Sequence, residues 1–218
     1  MSRMIITTQK PLDKIFEMCK GFGRVFVVGC GVCAAECQTG GQPEVEAMVE
    51  KLKEVGKEVT GYTIIESVCD ERRTRIAFRN SGEAVTGADA LLIMSCGTAV
   101  QVASDLSKKI CIPGCDTEFI GMTERIGRFY ERCKACGDCI LFETGGICPI
   151  ARCAKGILNG PCGGQSKGKC EVGGWTKDCA WVLIYKRLKE LGRLDDFRRY
   201  RPRKDYSTAS PAREVVFR

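Results

Sequence analysis

Cys133-Lys-Ala-Cys136-Gly-Asp-Cys139 places three thiols at two-residue intervals, and Cys148-Pro149 follows after eight more residues. Thiolates are soft donors that hold iron–sulfur clusters or zinc. A C-x-x-C-x-x-C run closed by a later Cys-Pro is the spacing of a bacterial ferredoxin-type cluster loop, with the usual short gap lengthened here. Cys153, Cys162, Cys170 and Cys179 bring the segment to eight cysteines, enough for two four-cysteine sites. Spacing alone does not group them. Zinc held by four thiolates is the competing reading, since C-x-x-C pairs build those sites too; the third closely spaced cysteine tilts the balance to iron.

A second group lies upstream. The run Val25-Phe-Val-Val28 leads into Gly29-Cys30-Gly31-x-Cys33-x-x-x-Cys37. If the chain turns helical after Gly31, Cys33 and Cys37 fall on one face close to Cys30, and a helix N-terminus favours thiolate. Glycines at 29 and 31, like Gly137 and Gly163 in the later segment, allow the backbone to approach a cofactor. The N–H groups of the turn after Val28 are expected to face cluster sulfur. The fourth ligand must come from elsewhere: Cys69 or Cys96, with Cys96 preferred because it ends a neighbouring strand, and Cys115 a weaker choice. Three other readings compete. The turn has the glycine trace of a dinucleotide loop, but Glu66, the acid ending the next strand, lies well beyond the usual distance of about 20 residues. A thiol–disulfide redox pair and inert buried cysteines are the other two.

The composition narrows the field. The 218 residues include sixteen cysteines and no histidine. That removes Ser-His-Asp triads, Cys-His nucleophiles, Cys-His zinc fingers and Rieske centres, so any metal is held mainly by thiolate. No signal-peptide h-region opens the chain and no apolar run reaches membrane-span length. A soluble, cytoplasmic protein without membrane insertion is expected. In a reducing compartment, dense cysteines read as a metal or redox framework. The net charge of +7 favours an acidic partner.

The elements that must position these thiols alternate. Helices are expected over Lys14–Phe22, Pro43–Lys57 (apolar at Val45, Met48, Val49, Leu52 and Val55), Ser81–Ala88 and Thr98–Leu106. Strands are expected at Val25–Val28, Val59–Ile65, Ala90–Met94 and Ile110–Ile112. The fold class is therefore α/β: a Rossmann-like, three-layer parallel-sheet domain over residues 1–122 carrying the Cys30/Cys33/Cys37 site. A cysteine-rich, cluster-stabilised domain follows over residues 123–192, with a helix at Trp175–Leu191. A basic, irregular arm covers residues 193–218, read as docking on a partner subunit, with simple disorder of the free chain as the alternative; it has no compact basic patch with interleaved aromatics, so nucleic acid is not an expected partner. Asp70-Glu71-Arg72-Arg73 and Arg75 read as a solvated face, and Trp175 and Trp181 as packing residues.

The run from Cys136-Gly-Asp-Cys139 through Glu-Thr-Gly-Gly-Ile-Cys148-Pro-Ile-Ala-Arg-Cys153 to Asn-Gly-Pro-Cys162-Gly-Gly and Gly-Lys-Cys170-Glu-Val is long and idiosyncratic. It closely resembles the methylenetetrahydrofolate reductase C-terminal domain family, whose stand-alone form is the MetV-type small subunit of acetogenic bacteria. The likeness continues through Cys179-Ala-Trp-Val-Leu-Ile-Tyr185 and Arg-Pro-Arg-Lys-Asp-Tyr-Ser of the tail. Upstream, Gly29-Cys-Gly-x-Cys-x-x-x-Cys37, Cys69 and Ser95-Cys96-Gly also look like this family. Cys111 and Cys115 depart from its pattern and are left outside the ligand set. The resemblance implies an electron-transfer subunit with no catalytic residues of its own and two or three [4Fe-4S] clusters on the thirteen remaining cysteines other than Cys19. Its electrons would come from a ferredoxin or another redox subunit. They would go to the FMN of a MetF-type catalytic subunit, which reduces methylenetetrahydrofolate to methyltetrahydrofolate in the acetyl-CoA (Wood-Ljungdahl) pathway. A zinc-stabilised scaffold without redox role is the alternative.

Overall fold

A computed structural model describes residues 4–206, 212 and 214–216. The chain forms two compact units, Met1–Tyr130 and Glu131–Arg218. In the first, β1 (Ile5–Gln9) and α1 (Leu12–Cys19) precede β2 (Arg24–Cys30), α2 (Cys33–Glu36), α3 (Gln42–Glu54) and β3 (Glu58–Ile65). Then come α4 (Glu71–Asn80), α5 (Gly82–Gly87), β4 (Ala90–Met94), α6 (Gly97–Ser107), β5 (Ile110–Pro113) and β6 (Cys115–Arg125). The strand β7 (Arg128–Cys133) leads out of this unit.

The sheet β3-β2-β4-β5 is parallel throughout. Its central strands are apolar on both faces, as strands covered on both sides must be. Val25 and Val27 of β2, with Leu92 and Met94 of β4, pack on Ile15 and Cys19 of α1 and on Val45, Met48, Val49 and Leu52 of α3. Phe26, Val28, Leu91 and Ile93 point the other way, onto Phe78 of α4, Val85 of α5 and Ala99 and Ala103 of α6. Each such fully buried aliphatic contributes about 1.5–3 kcal/mol. The chain order reverses beside β2: β3 lies on one side of it, β4 and β5 on the other. Ligands of open parallel sheets sit outside the strands' carboxyl ends at such a reversal.

Three features depart from the sequence reading. A second sheet, β1-β6-β7, is present; β1 and β6 pair antiparallel from Ile5↔Ile120 to Gln9↔Cys115. The charged stretch after Asp70 is not only a solvated face but a helix, α4, which Asp70 caps by accepting from Arg72 N and Arg73 N. Helix α3 stops at Glu54, so Val55 leaves the apolar face and is exposed.

The second unit has little regular structure. It contains α7 (Pro149–Arg152), the two-residue strands β8 (Gln165–Ser166) and β9 (Lys169–Cys170), α8 (Ala180–Glu190) and α9 (Leu194–Arg198). Its apolar centre is Cys179, Trp181, Ile184 and Leu188, with Ile147, Val182 and Phe197 against them. Helix α8 starts five residues later than the periodicity implies. Trp175 lies outside it, in a left-handed conformation (φ 54°), and is 54% exposed, so it is not a packing residue. Nor is the basic tail irregular from its start, since α9 forms there and Phe197 sets its ring edge-on to Trp181 and Tyr185. Among the described residues no helix is long and apolar enough to cross a membrane.

Candidate functional site

None of the sixteen cysteines is in a disulfide. In the first unit six of the eight gather at the carboxyl edge of the parallel sheet; Cys19 ends α1 and Cys111 lies near the start of β5. Cys30 is the last residue of β2, and its Sγ lies 3.9 Å from the Glu66 carbonyl just past β3. Cys33 opens α2. Cys69 sits between β3 and the α4 cap, with its sulfur 3.3 Å from Ser67 Oγ. Cys96 follows β4 and caps α6. Burial raises the Cys33 thiol above its ordinary value; a hydrogen bond from the Ile5 backbone opposes this, and the nearby Cys30, Cys96 and Cys69 raise it further. Cys30 pairs with Ile65 and Gly29 with Met94 across the sheet, so Cys30, Cys33, Cys69 and Cys96 share one end of three adjacent strands.

Cys37 commits its thiol to the backbone of β1, donating to the Ile5 carbonyl at 3.8 Å. It and Cys96 both bear on Cys115, which is buried, donates to the Thr39 carbonyl at 3.4 Å and is pushed up to about 12, chiefly by burial. Cys115 thus joins the thiol group although its sequence context set it apart. The signal was its position just past β5, as Cys96 is just past β4.

The turn after β2 is closed by the fold itself. Cys30 N–H donates to the Gly40 carbonyl at 2.8 Å and Gly31 N–H to the Ile65 carbonyl at 2.9 Å. These two donors are therefore spent, and the expectation that they face cluster sulfur does not hold. Gly29 has a packing reason to be glycine, since a Cβ there would stand 2.6 Å from Ile64 and Val45 side chains. Around Gly31 a Cβ would meet only ordinary contacts, the nearest at 3.5 Å. At Gly40 a Cβ would lie 1.7 Å from the Met94 carbonyl oxygen, so the loop leaving α2 crosses the end of β4 only without a side chain. Gly40→Ala is expected to lower the urea midpoint by the equivalent of about 3 kcal/mol, the upper range for overpacking; an unchanged midpoint would show that the loop does not need this crossing.

In the second unit, Cys133, Cys136, Cys139 and Cys148 line one cavity of ≈ 260 Å³ with Ile140, Leu141 and Ile150. Ala135 N–H donates to Cys133 Sγ at 3.3 Å, and the Cys136 thiol to the Asp138 carbonyl at 3.7 Å. The loop bends at Gly137, whose φ of 81° is one that L side chains rarely adopt. Cys148 precedes α7, and Pro149 occupies that helix's first turn, where its missing N–H costs nothing. Cys153 and Cys170 line a larger recess of ≈ 620 Å³ with Lys155, whose ammonium is 3.7 Å from Cys162 Sγ. Gly163, beside Cys162, faces open space. Cys179 caps α8 and packs into the apolar centre instead.

Among the described residues, no three cysteine, aspartate or glutamate side chains stand close enough together to enclose a single metal ion. Four thiols around one cavity are a donor set of the right chemistry and number for a group larger than an ion, one thiolate to each iron of a four-iron cluster.

Residues 112–207 match the family model described as methylene-tetrahydrofolate reductase C terminal. The reductase-like segment is a little under half of the chain. It takes in every cysteine from Cys133 to Cys179, together with Arg201 and Lys204. No curated protein and no solved structure matches the chain. The similarity associates this segment with an oxidoreductase, methylenetetrahydrofolate reductase.

Proposed function

We propose that the chain is an iron–sulfur electron-transfer small subunit of methylenetetrahydrofolate reductase, acting in a reducing, cytoplasmic setting. The observation that carries this reading is the cavity shared by Cys133, Cys136, Cys139 and Cys148 within the reductase-like segment. These four would hold one [4Fe-4S] cluster. Cys30, Cys33, Cys69 and Cys96 would hold a second, with Cys37 and Cys115 as neighbours. Cys153, Cys162 and Cys170 are the remaining candidates for a third, and Cys179 their fourth only if it leaves the apolar centre. Bound clusters supply one-electron transfer. The chain's own part is to seat them at strand ends and in a short loop, partly shielded from water.

Electrons would pass to the flavin of a MetF-type partner for reduction of methylenetetrahydrofolate to methyltetrahydrofolate. The charge distribution suits an acidic donor such as a ferredoxin. Between Glu131 and Arg218 there are eighteen lysines and arginines against ten acids, so the whole positive excess lies in the cysteine-rich unit. A zinc ion would draw four sulfurs to about 2.3 Å from itself, a tighter arrangement than thiols spread around a cavity.

The test is iron, sulfide and zinc per chain after purification without oxygen. About eight to twelve irons with matching sulfide, and reduction of the partner's flavin by reduced ferredoxin only when this chain is present, are the expected results. Zinc at about one or two per chain with little iron would replace the relay with a scaffold.

A further inference from the structure

The tail after α9 turns back onto its own unit and buries two cations. Arg201 is 5% exposed, and its charge is fully answered. Its guanidinium donates to the Glu143 carboxylate at 3.2 Å and to the carbonyls of Glu143 and Asp196, and it lies over the Trp181 ring. Its backbone N–H and carbonyl exchange two 2.7 Å bonds with the Asn159 amide. Three residues on, this anchor delivers Lys204, whose side chain is 3% exposed.

Lys204 is answered differently. Its ammonium donates to the Asp138 carbonyl, and the Asp138 carboxylate is 3.1 Å away. That carboxylate is 70% exposed, so water screens it. The same Asp138 carbonyl accepts from the Cys136 thiol at 3.7 Å, so the ammonium and that sulfur meet at one oxygen. Lysines are almost never buried unless paired, and here Asp138, the acidic partner seen among the described residues, looks outward while the Cys136 thiol of the four-cysteine cavity shares its carbonyl.

We propose that Lys204 is a positioning residue and charge partner for an anionic group seated by Cys133, Cys136, Cys139 and Cys148, and that it sets the reduction potential of the cluster there. The inference rests on the electron-transfer reading. Four thiolates outweigh the positive charge of a four-iron core, and each added electron makes the site more negative. A fixed ammonium beside one ligand sulfur favours the reduced state, because the net charge around a cluster governs its potential. The tail is then part of the redox centre and not only an arm for a partner.

The test compares Lys204→Met, which keeps the stem and drops the charge, with Lys204→Arg, which keeps the charge. Iron is counted, and the chain is titrated electrochemically with spectroscopic detection. The relevant signal is the one that Cys136→Ser abolishes. That signal is expected at a lower potential in Lys204→Met and back towards the wild-type value in Lys204→Arg. Loss of that cluster's iron from the Met variant alone would equally show that the charge is needed. Unchanged iron and potential in Lys204→Met, or the same shift or the same loss in both variants, would overturn the inference. A wild-type chain without iron would fail the relay reading first and take this inference with it.

Discussion

Cys96→Ala is expected to strip one cluster from the chain, about four irons, while Cys37→Ala keeps its iron. The contrast follows from where the fold puts the two sulfurs. Cys96 stands past the end of β4, among Cys30, Cys33 and Cys69. Cys37 lies one turn of α2 beyond Cys33 but directs its thiol to the Ile5 carbonyl. Removing one of four thiolates leaves an iron without a protein ligand. Donor-dependent reduction of the partner's flavin should then fall by more than about tenfold, a loss that even changes around a ligand can bring. Iron and sulfide analysis of the two variants beside the wild type decides it. Full iron in Cys96→Ala, or loss only in Cys37→Ala, would refute the grouping.

That grouping shows what could and could not be read from residue order. The parallel sheet was legible because Val25–Val28 and Ala90–Met94 are continuous apolar runs, which only strands covered on both faces can use. The positions of Cys30 and Cys96 at strand ends followed directly. Choosing among Cys37, Cys69 and Cys115 needed the third dimension. Cys69 arrives through β3, and Cys115 through the start of β6, whose partner β1 lies about a hundred residues away in sequence. Strand β6 is largely exposed and carries Asp116, Glu118, Glu124 and Arg125, so its apolar alternation is weak. The closed N–H groups of Cys30 and Gly31 were also hidden, since their acceptors are on Gly40 and Ile65. In the second unit the cysteine spacing announced the cavity, but nothing local marks Lys204 for burial within a run of arginines and lysines. Its place is set by Arg201 and by the Asn159 amide.

Trp181→Ala is expected to unfold the cysteine-rich unit of the metal-free chain. Trp181 is 1% exposed, donates from Nε1 to the Ile157 carbonyl at 2.8 Å, and meets Phe197 edge-on at 5.9 Å. It is the largest of the four buried residues in that unit's apolar centre. Truncating a buried tryptophan costs about 3–5 kcal/mol, and a core this small rarely supplies more than about 3–5 kcal/mol in total. The ring also carries the Arg201 guanidinium, so its loss loosens the strap that brings Lys204 to the Asp138 carbonyl beside Cys136. Trp181→Phe keeps most of the apolar area but leaves the Ile157 carbonyl unanswered, and should cost less. Amide hydrogen exchange across α8 reads both variants: protection lost in Ala and partly kept in Phe is expected, whereas wild-type protection in Trp181→Ala would mean that this centre does not hold the unit together. Cluster incorporation should restore protection to the Phe variant before the Ala variant, because binding stabilises only a fold that can still present its ligands.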